Sequence, residues 1–459
     1  MIKSNFVLAG IETMRSYWDR LMENKDGSFD NHFNIDQFRD CASSIFTGGL
    51  HSFGQNFTGR KKYDKYISNE VNLFEKVKEL YGQSIDLIVD SGGFQISIGR
   101  LKKNETELLI ELYHEFLTNH HQCIDRAFVL DLPPGPGCKL FNTFEDIYDY
   151  NLRTYTLAKN LPKEARDKMI YIHHFRSPKL WEIYTKILDS EDMFNSFQNF
   201  ATGGIIANQS SDAAIPCIIY VLPLIPILRR FVENKRTTLN FHILGGANFR
   251  DILFYEIFKK LVQEKHGVEL TITYDSSGIF KGLMRGRFLL IFENNKVHKI
   301  SLKSDSLHLR VNGTTKTMQQ MYFDAIDEMT DFHNFKKLSL NAVYENNNTF
   351  TSTLRMNSAI LILHTFAKIQ TYLRTKAIEL YELYNNKNYE EFNKEIELVT
   401  RNLNYGKISR KQKAKSYSVL NSLKMLENID EKYCHHLVNK HLAKDEFIDL
   451  DVKSRILTV

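Results

Sequence analysis

Residues 86–95 read Asp86-Leu87-Ile88-Val89-Asp90-Ser91-Gly92-Gly93-Phe94-Gln95. A short apolar run that stops at an aspartate and gives way to paired glycines predicts a buried strand over Asp86–Asp90, with a loop at its carboxyl end. The same pattern recurs along the chain. Apolar runs closed by polar residues or glycine stand at Phe6–Gly10, Ala127–Leu132, Met169–Phe175, Phe200–Ile205, Asn240–Gly246 and Leu270–Asp275, and Arg287–Phe292 is the eighth candidate. Most lie about 30 to 45 residues apart, room enough for a helical crossover between parallel strands. Helical patterns fill the gaps at Asn69–Tyr81, Asn104–Phe116 and Asn248–Gln263, the last two opening on plausible asparagine caps. Eight strands alternating with helices predict an α/β fold, a closed (β/α)8 TIM barrel. An open doubly wound sheet is the alternative, but no GxGxxG or Walker-type loop follows any strand. From about Ser304 the pattern changes: polar turns and short strands, including Asn346-Asn347-Asn348, give way to helix from residue 355, with Ala359–Tyr384 the longest run. This divides the chain into a barrel over residues 1–305 and a mainly helical C-terminal extension over 306–459.

Composition bounds the rest. The 459 residues are 43% hydrophobic and 25% charged, which excludes a wholly disordered or fibrous chain. With 22 glycines and 8 prolines there is no room for long flexible linkers. Five cysteines, Cys41, Cys123, Cys138, Cys217 and Cys434, form no CxxC pair, so neither a disulfide framework nor a zinc ribbon is signalled. Reduced thiols and the absence of a signal-peptide pattern in Met1–Phe6 set the expectation of a cytoplasmic protein. The longest apolar stretch, Ala213–Leu228, is interrupted by Pro216, Pro223 and Pro226 and is too short for a bilayer, so it is expected to pack on the sheet. Net charge is +5, and the surplus lies beyond residue 330, where 20 Lys and Arg face 15 Asp and Glu. Such a tail is compatible with an anionic partner.

In a barrel, reactive groups gather where strands end. Three strand ends carry an aspartate (Asp90, Asp131, Asp275), and others carry Gly203-Gly204, Gly245-Gly246 and His173-His174. A single strand-end aspartate ordinarily caps the next helix. Three of them with adjoining glycines point to a site where backbone approaches a flat polar ligand.

The segment Asp90–Gln95 (DSGGFQ) resembles the signature of the tRNA-guanine transglycosylase superfamily. Further stretches agree in order: Phe128–Pro134 (FVLDLPP), Ala201–Ile205 (ATGGI), Leu222–Pro226 (LPLIP) with His242–Asn248 (HILGGAN), and Tyr274–Gly286 (YDSSGIFKGLMRG). The resemblance covers roughly residues 1–305. It implies Asp275 as nucleophile and Asp90 as general acid/base, and two displacements at C1′ would retain configuration. It further implies that Ser91, Gly92, Gly93, Phe94 and Gln95 line the base site, with Phe94 and Leu244 on the two faces of a base taken out of its stack. Asp131 would accept the guanine N1–H and amino edge, and the backbone of Gly203, Gly204 and Gly245 would lie beside the base. His174 falls nearest the position where the tRNA enzymes usually carry glutamine. Lys281, Arg285 and Arg287 would hold flanking phosphates, with solvated surface charge as the plain alternative.

The chain also departs from the tRNA enzymes. Their CxCxxC zinc site with its distant histidine has no counterpart: Asp327–Lys336 contains no cysteine, and a sequential Cys434-His435-His436 with His441 does not supply tetrahedral geometry from one helix. No metal or cofactor is therefore expected. Within the extension, Lys407, Arg410, Lys411, Lys413 and Lys415 form a basic run flanked by Tyr405 and Tyr417, suited to phosphate contact and stacking. A lost zinc motif and a changed C-terminal half fit the DpdA-type DNA-guanine transglycosylases of bacteria and phages. The expected partners are DNA and a free 7-deazaguanine base such as 7-cyano-7-deazaguanine, with accessory DNA-modification proteins compatible and no membrane. A tRNA acceptor is the first alternative. A non-catalytic barrel that only binds nucleic acid or a partner enzyme is the second.

Overall fold

In the computed structural model of the chain, eight strands close into a barrel: β1 (Phe6–Ala9), β2 (Gly48–Ser52), β3 (Asp86–Asp90), β4 (Arg126–Phe128), β5 (Met169–His174), β6 (Asn199–Gly203), β7 (Thr238–Ile243) and β8 (Glu269–Asp275). Each pairs in parallel with the next, and β8 returns to β1 through Phe6↔Tyr274 and Val7↔Asp275. The structure describes residues 5–9, 47–57, 65–82, 85–134, 138, 140–141, 143–174, 178–190, 192–203, 221–246, 249–275, 288–301, 308–311, 314–317, 347–403 and 416–427. The principal helices around the barrel are α1 (Tyr66–Tyr81), α2 (Gly93–Ser97), α3 (Lys103–His120), α4 (Phe144–Lys159), α5 (Pro178–Asp189), α6 (Leu224–Glu233) and α7 (Phe249–His266). The fold is the expected (β/α)8 barrel with a helical C-terminal region.

Side chains alternate across each strand, and that alternation sorts the core into two layers. Val7, Ala9, Leu50, Ile88, Phe128, Ile170, Ile172 and Ala201 fill the barrel interior. Leu87, Val89, Tyr171, Phe200, Phe241 and Ile272 belong to the outer layer under the helices. The interior is thus a packed plug, and the strand ends above it are free to form a site.

Two strand assignments differ from the sequence reading. β2 was not anticipated: Gly48-Gly49-Leu50-His51-Ser52 holds a single aliphatic residue, so its strand propensity is low. It is a strand because β1 and β3 pair with it on both sides. The expected eighth strand, Arg287–Phe292, is not in the barrel. Instead β9 (Phe288–Glu293) pairs antiparallel with β10 (Lys296–Ser301). Asn294 and Asn295 join them with φ of 51° and 60°, the signature of a tight hairpin turn. A second small hairpin pairs β11 (His308–Val311) with β12 (Thr314–Thr317).

Helix starts differ too. Asn104 does not cap α3; the N-cap is Lys102, whose N–H donates to Glu105 Oε2 at 2.8 Å. Asn248 lies outside the described residues. Within the apolar stretch Ala213–Leu228, α6 begins at Leu224, with Pro223 at its N-cap and Pro226 in the first turn, where a missing N–H costs little; residues 213–220 lie outside the described ones.

The C-terminal region contributes α8 (Asn347–Asn385), α9 (Tyr389–Leu403) and α10 (Ser416–Leu426). α8 starts at Asn347, inside the stretch expected to be turns. Its apolar side chains join the outer layer of the barrel: Phe366 stacks on Phe6 at 4.3 Å between ring centroids and contacts Phe249 at 5.2 Å. Two polar residues one turn apart on α8 sit at the line where the barrel closes. Gln370 accepts from the Tyr274 hydroxyl and donates to Glu256 Oε1 at 2.7 Å. Arg374 donates to Asn5 Oδ1 at 3.1 Å. Asn5 and Tyr274 are themselves joined, the Tyr274 N–H donating to the Asn5 carbonyl at 3.1 Å. Among the described residues, no helix is long and apolar enough to cross a membrane.

Candidate active site

The three strand-end aspartates meet at one rim. Asp90 ends β3, Asp275 ends β8, and Asp131 lies three residues past β4. Burial pushes the Asp90 carboxyl up to about 7, and the Asp131 charge adds to the rise. A hydrogen bond from Ser52 and another from the Gly92 backbone oppose it, while Asp275 adds a further upward contribution. Asp90 is therefore a carboxyl that gains and loses its proton near neutrality, the property a general acid/base needs.

Asp275 is held differently. Its Oδ1 accepts the Gly245 N–H at 2.7 Å and lies 3.4 Å from His242 Nε2. His242 Nδ1 in turn is 2.9 Å from Thr273 Oγ1, and the ring packs on Phe128. The Gly245 N–H engages Oδ1, so Oδ2 is the oxygen left for chemistry. Sequence reading did not single out His242. The signal was present, because Asn240 and His242 share the inward face of β7 by simple alternation, with Leu244 in the same phase just past its end.

Asp131 is engaged on both oxygens. Ser91 Oγ donates to Oδ1 at 3.2 Å, and Oδ2 pairs with His174 Nε2. The segment bearing Asp131 is pinned by Asn151 of α4, which bonds both the N–H and the carbonyl of Leu132, at 2.8 and 3.1 Å. Tyr184 of α5 donates to Asn151 Oδ1 at 3.0 Å and lays its ring against His174. Two glycines make room for the pair. A Cβ at Gly93 would lie 2.8 Å from Asp131 Oδ1 and 2.3 Å from its carbonyl oxygen. A Cβ at Gly203 would lie 2.7 Å from His174 Cε1. Gly203 is expected from the sequence to admit a ligand base; the first neighbour its missing side chain accommodates is the His174 imidazole.

α2 follows directly from β3. Phe94 on this helix is 57% exposed, the most exposed large apolar side chain among the described residues. The next residue, Gln95, is buried and donates to Ser52 Oγ at 3.3 Å, linking α2 to the hydroxyl that also serves Asp90. Gln95 Oε1 is buried with no hydrogen-bond partner. Ser52 was missed along with its strand. Leu244 is half-buried and packs on the top of the interior layer.

Thus Asp90, Ser91, Gly92, Gly93, Phe94, Gln95, Asp131, His174, Gly203, Leu244, Gly245 and Asp275 all stand at the carboxyl ends of the strands. Gly204, Lys281, Arg285, Arg287, Tyr405, Lys407, Arg410, Lys411, Lys413, Lys415, Cys434, His435, His436 and His441 lie outside the described residues. Among the described residues, no three His, Cys, Asp or Glu side chains are grouped to hold a metal ion. Chemically, the rim offers one carboxyl that can be protonated, a second anchored through one oxygen, a hydrogen-bonded Asp–His pair and an uncovered aromatic face. No protein-family model matches the chain, and no curated protein matches it.

Proposed function

We propose that the chain is a guanine transglycosylase that exchanges guanine in DNA for a 7-deazaguanine base such as 7-cyano-7-deazaguanine. The observation that carries the reading is the pairing, at one rim, of an Asp90 carboxyl raised to about 7 with an Asp275 carboxylate oriented through its Oδ1. In the first displacement Asp275 Oδ2 attacks C1′, the C1′–N9 bond breaks, and Asp90 gives its proton to the departing guanine. In the second, the incoming base gives its ring N–H proton to Asp90, its nitrogen attacks C1′, and the bond to Asp275 breaks. Two inversions return the original configuration, as two carboxylates do in retaining glycosidases.

Recognition follows from the remaining groups. Phe94 offers a stacking face to the extruded base, whose removal from the duplex costs a few kcal/mol, about the scale of one or two stacking contacts. Asp131, steadied by His174, accepts from the N–H edge of a guanine-type base. DNA is preferred over tRNA on the sequence of the second half, which lacks the zinc motif of the tRNA enzymes.

The test is exchange of labelled guanine into duplex DNA and, in parallel, into tRNA. Label in DNA supports the proposal, and label in tRNA alone moves the acceptor to RNA. Label in neither, with polymer binding intact, makes the barrel a binding subunit. Asp275→Asn is expected to abolish both exchange and any covalent protein–DNA adduct on denaturing gels; an adduct that persists removes the nucleophile assignment.

A further inference from the structure

Immediately beyond Phe94 the chain makes a turn that brings three cations to the same edge of the barrel. α2 ends in a Schellman arrangement: the Arg100 N–H donates to the Gln95 carbonyl at 3.0 Å and the Gly99 N–H to the Ile96 carbonyl at 2.9 Å. Gly99 has φ of 74°, the left-handed geometry this closure requires. Leu101 is buried and anchors the turn, and α3 then begins at Lys103. Arg100, Lys102 and Lys103 are all exposed. Their backbone follows directly from the helix that carries Phe94 and leads into the first turn of α3, so they do not trail from a loose loop.

Their charges are uncompensated among the described residues, while nearby carboxylates have other partners. Glu105 accepts the Lys102 backbone N–H at 2.8 Å, and Glu107 pairs with Arg153 at 2.7 Å. Elsewhere on the surface, cations such as Lys179, Arg229, Lys376 and Lys394 stand against carboxylates three or four residues away. The basic edge at 100–103 thus stands open to solvent, with no ion pair among the described residues.

We propose that Arg100, Lys102 and Lys103 bind the polynucleotide backbone next to the nucleotide whose base stacks on Phe94. This inference rests on the transglycosylase reading and adds a phosphate-contact site to it. Phosphates held here fix the register of the strand, leaving the choice of base to the pocket. An exposed cation next to the stacking ring also offsets the cost of keeping an extruded nucleotide near the three carboxylates, which would otherwise repel its phosphates.

The experiment is fluorescence anisotropy of the full chain with a labelled guanine-containing DNA duplex across a salt series. The triple variant Arg100→Gln, Lys102→Gln, Lys103→Gln is expected to bind at least tenfold more weakly at low salt and to flatten the slope of log K against log salt by about 2 to 3. The charge-conserving variant Arg100→Lys, Lys102→Arg, Lys103→Arg is expected to keep the wild-type slope. If the triple variant does not fold, the single changes Lys102→Gln and Lys103→Gln are each expected to lower the slope by up to about 0.9. A neutral variant with the wild-type slope overturns the site, and if the wild type still exchanges base, the enzymatic reading survives. A wild type that binds DNA through these residues but never exchanges base overturns the enzymatic reading alone. A wild type that binds no DNA overturns both.

Discussion

Asp90 and Asp275 are the same residue type at equivalent strand ends, yet their surroundings ask opposite things of them. Asp90 is raised from its ordinary value of 3.8 to about 7, burial first and the Asp131 charge second. Because the folded state then holds this proton more tightly than the unfolded chain, the stabilising contribution is complete below about pH 4 and is lost as pH rises to about 7. Asp90→Asn should therefore stabilise the fold more at about pH 8 than at about pH 5, by roughly 2 to 3 kcal/mol, in thermal melts at the two pH values. The same variant should lose turnover. Wild-type exchange should decline above about pH 7 as the acid form disappears. A pH-independent difference in melting temperature would refute the raised carboxyl. His242 lies against the other aspartate, its Nε2 3.4 Å from Asp275 Oδ1 and its ring on Phe128 in the barrel interior. His242→Phe should lower kcat by about tenfold to a hundredfold while leaving KM for the free base near wild type, since small misplacements of a nucleophile carry penalties of that size. A rise in KM alone would make the residue part of the base pocket.

At the scale of elements, β5 and β6 show how backbone spacing and side-chain choice are tied. His174 and Gly203 are register partners on adjacent strands, and the ring occupies the volume a side chain at 203 would need. Gly203→Ala should destabilise the fold by about 1 to 3 kcal/mol, the usual cost of overpacking, and weaken binding of the free base by displacing His174 from Asp131. Calorimetry against Gly267→Ala would control for glycine loss, because nothing crowds that position, though its positive φ of 67° carries its own strain. Elements were unevenly legible in the sequence. The apolar runs at Asp86–Asp90, Met169–His174 and Glu269–Asp275 are strands almost to the residue, because buried parallel strands are continuously apolar. Gly48–Ser52 carried no such signal: its stability comes from two neighbours distant in sequence. Phe288–Glu293 carried the signal and misled, because a continuous apolar run marks a strand without saying which sheet it joins. Its Asn294-Asn295 turn was the local cue to a hairpin. In the site, the aspartates and glycines were legible as strand ends. The bond from Ser52 and the approach of His242 were not, since they depend on register across the barrel.

At the scale of the molecule, the C-terminal helices pack on α7 and the β9–β10 hairpin and also reach the line where the barrel closes. The β1–β8 ladder has only two register pairs, and beside them α8 bonds to Tyr274 of β8 and to Asn5, the residue just before β1. Removing the extension would expose Phe6, Phe249 and Tyr274 and leave Glu256 with fewer partners. Gln370→Ala with Arg374→Ala should lower stability by about 2 to 5 kcal/mol through buried polar groups left unmatched. Amide exchange should accelerate first in β1 and β8; uniform acceleration through all eight strands would argue against a local clamp. Because Tyr274 immediately precedes Asp275, whatever pulls on α8 is felt one residue from the anchored carboxylate. The consequence is for modularity: the helical half cannot be traded for another as an interchangeable adaptor. Any graft onto this cylinder would have to bring its own counterparts of Gln370 and Arg374, or the keystone pair of staves would part.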